Sequence, residues 1–153
     1  MRSQLVRVVA FSLLAAGLAV SLACVQAEPP AAVAAPRDGV FIHISSGPQD
    51  AHRVLMALRM AELMAGDRDV LVYFDIKGIE VVLADAPAIE HATFPAASVQ
   101  IQKLLDLGVP LLACPGCLEA AGKSAADLRL GVQVASKDAF FAFTEGRILT
   151  LDY

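Results

Sequence analysis

Apolar and polar residues change period several times along this chain, and the changes mark alternating strands and helices. Gly39-Val40-Phe41-Ile42-His43-Ile44 is a short apolar run ending on the turn residues Ser45-Ser46-Gly47-Pro48, which predicts a buried strand. From about Gln49 to Ala65 the period lengthens to that of a helix. Val54, Leu55, Leu58, Ala61 and Leu63 or Met64 share one face, and Gly66-Asp67-Arg68 stops it. Val70-Leu71-Val72-Tyr73-Phe74 is apolar without alternation, the pattern of a strand covered on both faces. Asp75-Ile76-Lys77-Gly78 turns the chain, and Ile79 to Leu83 reads as a short strand or an irregular loop edge. Residues 84–97, with Pro87 and Pro95, have no period, as in a lid or binding loop.

The second half repeats the alternation. A helix is expected from Ser98, as N-cap, to Leu107, with Gly108 ending it, and then a strand from Val109 to Ala113. A short helix from Leu118 to Ala121 ends at Gly122, and a helical turn follows at Asp127 to Leu130. The strand Val132 to Ala135, the helix Lys137 to Thr144 and the strand Arg147 to Leu151 complete the pattern. This order predicts a single three-layer α/β domain over residues 38–153 with a mainly parallel sheet. Its ligand site should lie outside the carboxyl ends of the strands, where Ser45, Ser46, Asp75, Cys114 and Cys117 all fall.

Residues 1–27 have a different character. Arg2 and Arg7 precede an apolar stretch from Val8 to Ala23, and Val25-Gln26-Ala27 supplies small residues for cleavage, the order of a secretory signal peptide. Export to the periplasm is the expectation, with no membrane span in the mature form. A lipoprotein anchored through Cys24 is the alternative, although Ser21-Leu22-Ala23 matches the usual lipoprotein signal poorly. Residues 28–37, rich in Pro and Ala, read as a tether with nothing to bury. Cleavage removes Arg2 and Arg7 but none of the sixteen acids, leaving ten basic residues and a net charge of −6. A chain of that charge without a basic run is not built to neutralise phosphates, which excludes nucleic acid as a partner.

Two of the three cysteines share the turn Cys114-Pro115-Gly116-Cys117 between an apolar strand and a helix. Thiolates, not thiols, attack sulfur, and unpaired amides at a helix start lower a thiol's pKa. The pair could therefore carry out reversible sulfur or redox chemistry. It could equally form a structural disulfide, contribute two ligands to a metal, or remain as inert buried thiols.

The segment from Val109 through Cys114-Pro115-Gly116-Cys117 to Gly122, with Asp127-Leu128 and Gly131-Val132, resembles the DsrE/DsrF-like sulfur-relay proteins. Ser46-Gly47-Pro48, Leu58-Arg59-Met60-Ala61 and Asp69 to Asp75 through Gly78-Ile79 fit the same family. The resemblance implies a flavodoxin-like layer order and assembly into dimers, trimers or hexamers. It also implies sulfur carried as a persulfide on the cysteine at the strand-to-helix junction, a position that Cys114 matches. A sulfur donor or acceptor protein, or a small sulfur compound, would be the partner, and no cofactor is expected. Cys117 and the apparent export signal depart from the family pattern. On this reading Cys114 is the nucleophile and Cys117 resolves it by attacking its sulfur. The turn is also similar to that of thioredoxins, but their order is Cys-Gly-Pro-Cys near the first strands of the domain, often behind a Trp that this chain lacks, whereas two strands and two helices precede the turn here.

Other residues admit two readings each. His52, Met56, Met60 and Met64 recur every four residues and admit a Cu(I) stripe or core packing, and a Cu(I) module with Cys114 and Cys117 as metal ligands, joined by a Met, is the alternative function. A non-catalytic oligomeric subunit with a permanent disulfide is a further alternative. His43 reads as a hydrogen-bonded interior histidine. His91, in the aperiodic loop, could assist thiol ionisation. Asp75 could orient a base or cap its turn. Ser45 and Ser46 could cradle an anion or simply start a helix. Phe140, Phe141 and Phe143 read as core or subunit contacts.

Overall fold

The computed structural model describes residues 36–153. The expected signal peptide, Cys24 and most of the expected tether lie outside the described residues. Five strands, β1 (Gly39–Ile44), β2 (Asp69–Phe74), β3 (Leu111–Ala113), β4 (Gln133–Val134) and β5 (Ile148–Asp152), form one parallel sheet in the order β4-β3-β2-β1-β5. The helices are α1 (Ala51–Met64), α2 (Ala97–Asp106), α3 (Pro115–Ala120) and α4 (Lys137–Phe143).

This order decides which face each helix covers. From β1 to β4 the chain steps always in the same direction across the sheet, so right-handed crossovers put α1, α2 and α3 on one face. The last connection runs back past three strands to β5 and carries α4 over the other face. The layers are therefore unequal. Val40, Ile42 and Ile44 of β1, Val70, Val72 and Phe74 of β2, and Leu111 and Ala113 of β3 pack with Val54, Leu55, Leu58 and Ala61 of α1 and Ile101 and Leu104 of α2. Strand alternation sends Phe41, His43, Leu71, Tyr73 and Leu112 to the other side. There Phe140 of α4 meets Phe41 and Tyr73 edge-on, with ring centroids 6.1 and 5.1 Å apart. The apolar run of β2 thus hides two faces of different cover.

Several boundaries differ from expectation. A 3-10 turn at Pro48–Asp50 precedes α1 because Pro48 has the backbone angle of a helix start. Helix α2 begins at Ala97, not Ser98, and no side chain caps it. Instead the buried Gln100 donates from Nε2 to the Pro95 carbonyl at 2.8 Å and ties the preceding loop to the helix. The segment after Gly78 is a 3-10 turn, Gly78–Val81, whose Ile79 and Val81 enter the core. Asp127 ends a further 3-10 turn, Ala125–Asp127, held by a capping box in which Ser124 and Asp127 bond reciprocally. The aperiodic loop is pinned at several points. Ala84 donates to Asp127, Arg129 to Val82 and Ala97 to Ile89, and Ile89 itself is buried.

Candidate functional site

Cys114 leaves β3 in extended conformation and is the N-cap of α3. Its amide still belongs to the sheet, donating to the Phe74 carbonyl at 2.8 Å, while its sulfur accepts from the Cys117 amide at 3.4 Å. Pro115 at the first helical position needs no partner for its nitrogen, so the helix starts at once. The Cys-Pro-Gly-Cys segment is therefore the first turn of α3, not a turn before a helix at Leu118. Both cysteines are free, partly exposed thiols.

The two thiols have opposite electrostatics. Burial alone would raise Cys114, but the Tyr73 hydroxyl, the Cys117 thiol and the amides of Cys117 and Gly116 outweigh it and hold Cys114 below its ordinary value. Cys117 is pushed up, first by its contact with Cys114 and then by burial, against the opposing Ile76 amide, which donates to its sulfur at 3.1 Å. A negative charge is thus better accommodated on Cys114 than on Cys117. Cys117 in turn faces an open groove of about 370 Å³ lined by Ile76, Lys77, Ile79 and Glu80.

The turn after β2 is built to bring that amide in. Ile76 has φ +47°, a left-handed conformation that a β-branched residue adopts under strain, and its side chain is exposed. Gly78 lies so close to the end of β1 that a Cβ there would press on the Ile44 carbonyl.

Asp75 is on the same patch. Its Oδ1 lies 2.9 Å from His43 Nε2, an ion pair when the ring is protonated. His43 Nδ1 lies 2.9 Å from Asp152 Oδ1 in a hydrogen bond. Burial would lower the His43 pKa, but Asp152 and Asp75 outweigh it and raise it. The ring is partly exposed beside Tyr73 rather than interior, which corrects its reading from sequence.

Ser45, Ser46 and His91 are placed elsewhere. The Ser45 amide and hydroxyl and the Ser46 amide all donate to the Tyr153 main-chain oxygen, so these groups hold the end of β5 and are not free to cradle an anion. His91 stacks on His52 of α1 with centroids 4.5 Å apart, and His52 in turn meets Phe94 of the same loop, so the ring is engaged there and not with the thiols. Met60 and Met64 pack against the core. Among the described residues, no three His, Cys, Asp or Glu side chains are placed to hold a metal ion, and no helix is long and apolar enough to cross a membrane.

Sequence reasoning missed Tyr73, Asp152 and Ile76. The signal for Tyr73 was its place two residues before Asp75, which puts both on one side of the strand.

Comparison with known proteins gives the fold a context. The family model described as the DsrE/DsrF-like family matches residues 38–146. The chain superposes on the crystal structure of the YchN protein from E. coli with a TM-score of 0.60 at 18% identity, covering 75% of this chain and 99% of that one. It superposes on MTH1491, a protein of unknown function from Methanobacterium thermoautotrophicum, with a TM-score of 0.55 at 23% identity, covering 76% of this chain and 99% of that one. At these identities the two structures speak for the fold alone. No curated protein matches.

Proposed function

The chain belongs to the DsrE/DsrF-like family of sulfur-relay proteins, and on that premise we propose that it is an exported sulfur carrier in which Cys114 holds sulfane sulfur as a persulfide. The observation that supports this reading most is the asymmetry of the cysteine pair. Cys114 caps α3 and is held below its ordinary pKa, and Cys117, one turn on, is raised.

The chemistry follows from that asymmetry. The Cys114 thiolate attacks the outer sulfur of a donor persulfide or polysulfide; the donor's S–S bond breaks, its thiolate leaves, and Cys114 carries one added sulfur. An acceptor thiolate can then take the outer sulfur and return Cys114 to the thiolate. Alternatively Cys117, once deprotonated, attacks the Cys114 sulfur and expels hydrosulfide. The pair closes to a disulfide as the sulfane sulfur is reduced, and an external dithiol must reopen it. The charge of Asp75 adds to the raising of Cys117. In loading and in transfer a donor or acceptor must reach the sulfur, and the groove beside Cys117 offers it room.

Mass spectrometry tests the reading. Reduced protein given polysulfide or thiosulfate gains the mass of one sulfur atom, Cys114→Ser abolishes the gain, and Cys117→Ser keeps it. Absence of any gain with either donor overturns the reading. For export, the periplasmic fraction should contain a chain whose first residue is Glu28. Assembly into a homo-oligomer belongs to the same proposal. It is supported by the thin cover of the α4 face, where Phe141 is 64% exposed, and is checked by light scattering.

A further inference from the structure

The thinly covered face of the sheet holds a polar row that the relay chemistry above does not use. In register, Asp152 of β5 lies beside His43 of β1 and His43 beside Tyr73 of β2, while Tyr73 lies opposite Leu112 of β3. Cys114 follows Leu112 by two residues and is still in extended conformation, so alternation returns it to the face that Tyr73 occupies. Tyr73 and Cys114 are diagonal neighbours on one face, a step that a long aromatic side chain spans.

Rings fix the direction of that side chain. His43 stacks on Tyr73 with centroids 5.8 Å apart, Phe41 at 6.2 Å, and Phe140 meets its edge at 5.1 Å. His43 is itself gripped between Asp75 and Asp152. Packed in this way, the phenol stays on the face that carries Cys114, and its hydroxyl acts to lower the pKa of the Cys114 thiol. Burial, and then the facing Cys114, make Tyr73 harder to ionise than a free tyrosine, so it stays a donor over the working pH range.

We infer that Tyr73 is a catalytic residue, whose hydroxyl donates a hydrogen bond to the Cys114 sulfur and holds it as the thiolate. The inference rests on the reading of Cys114 as the nucleophile. A helix start supplies amides from one side only. Tyr73 supplies a donor from the sheet, so the sulfur is held from two directions. When sulfur is loaded, the same hydroxyl faces the Cys114 sulfur and stabilises it as leaving group during transfer.

The groups around the thiols are Tyr73 of β2 and Cys117 of α3, which act on Cys114, and Asp75 just after β2, which acts on Tyr73 and Cys117, with His43 of β1 and Asp152 of β5 behind Tyr73 and the apolar Phe140 from α4. Of these, Tyr73 can be changed by one atom.

The test compares the full chain with Tyr73→Phe, following alkylation of Cys114 by iodoacetamide against pH with site-resolved mass spectrometry. Tyr73→Phe keeps the ring contacts and should move the Cys114 titration upward by about one pH unit, about a tenfold slower alkylation below both midpoints. An unshifted titration overturns the inference. A second measurement needs no variant: alkylating Cys114 in the wild type should lower the titration midpoint of a tyrosine followed by tyrosinate absorbance, and no change there also overturns it. Neither measurement uses a sulfur donor. A chain that takes up no sulfur yet shows both shifts refutes the carrier reading and leaves the Tyr73 contact standing.

Discussion

Gly78→Ala is the sharpest perturbation available, because the close approach of the turn after β2 to the end of β1 depends on a missing side chain. A Cβ at position 78 would clash with the Ile44 carbonyl oxygen and lie 2.9 Å from the carbonyl carbon. Both are main-chain atoms of β1, which is held between β2 and β5 and cannot retreat. The turn must move instead. Moving it opens the Asp75 amide bond to the Ile44 carbonyl, 3.2 Å, and strains the Gly78 amide bond to Asp75, 2.6 Å. Two such bonds are together worth about 2 kcal/mol, and lifting Ile79, 1% exposed, partly out of the core adds about 1 kcal/mol. Alanine also restricts the unfolded chain, which returns about 0.4–1 kcal/mol to the folded state. Clash and lost bonds win, and the net destabilisation is about 2–3 kcal/mol. Urea unfolding measures it, read as a fall in midpoint at unchanged slope. The same displacement withdraws the Ile76 amide from Cys117, so alkylation of Cys117 in the folded variant should also change. A midpoint equal to wild type would show that β1 and the turn are not in contact, and the account of how the site is held would fall.

Three further outcomes follow from the site. Under limiting iodoacetamide near neutral pH, Cys114 should be modified ahead of Cys117, because each pKa unit is about tenfold in thiolate and outweighs the better access of Cys117 to its groove; peptide mapping that finds the reverse order refutes the assignment of roles. His43 has its pKa raised on folding, so its pairing with Asp152 and Asp75 stabilises the chain fully below the ordinary value of 6.5 and is lost as pH rises through the higher folded value. The gap in unfolding free energy between wild type and His43→Gln, read from urea melts, should therefore shrink as pH is raised above 6.5, by no more than about 1 kcal/mol in all for so accessible a pair, and a gap that widens contradicts the pairing. Ile76→Asn relieves a left-handed β-branched residue whose side chain is 63% exposed, and it should stabilise by up to about 1 kcal/mol; a clear loss of stability in thermal melts would show that the strain is absent.

Much of the fold was legible along the chain. The alternation of apolar runs with helical periods located the five strands and four α-helices of the described residues, since burial on a sheet or a helix face imposes its own period. Ends were read less well where a side chain acted at a distance, as Gln100 does at the start of α2, or where Pro115 began a helix earlier than the apolar pattern indicated. At the site, Cys114, Cys117 and Asp75 were legible because turn chemistry is local. His91 was misleading, because the loop that carries it packs its ring on His52.

By itself the sequence determined the element order, the paired thiols at a strand-to-helix junction and the resemblance to a sulfur-relay family, all properties of neighbours along the chain. Only the tertiary structure decided that Tyr73 and His43 share a face with Cys114 and that Asp152, far along the chain, grips His43. Strand register and the direction of each crossover set these contacts. Both depend on which strands pair, and a parallel sheet brings together residues separated by whole crossovers, so no local pattern can announce them.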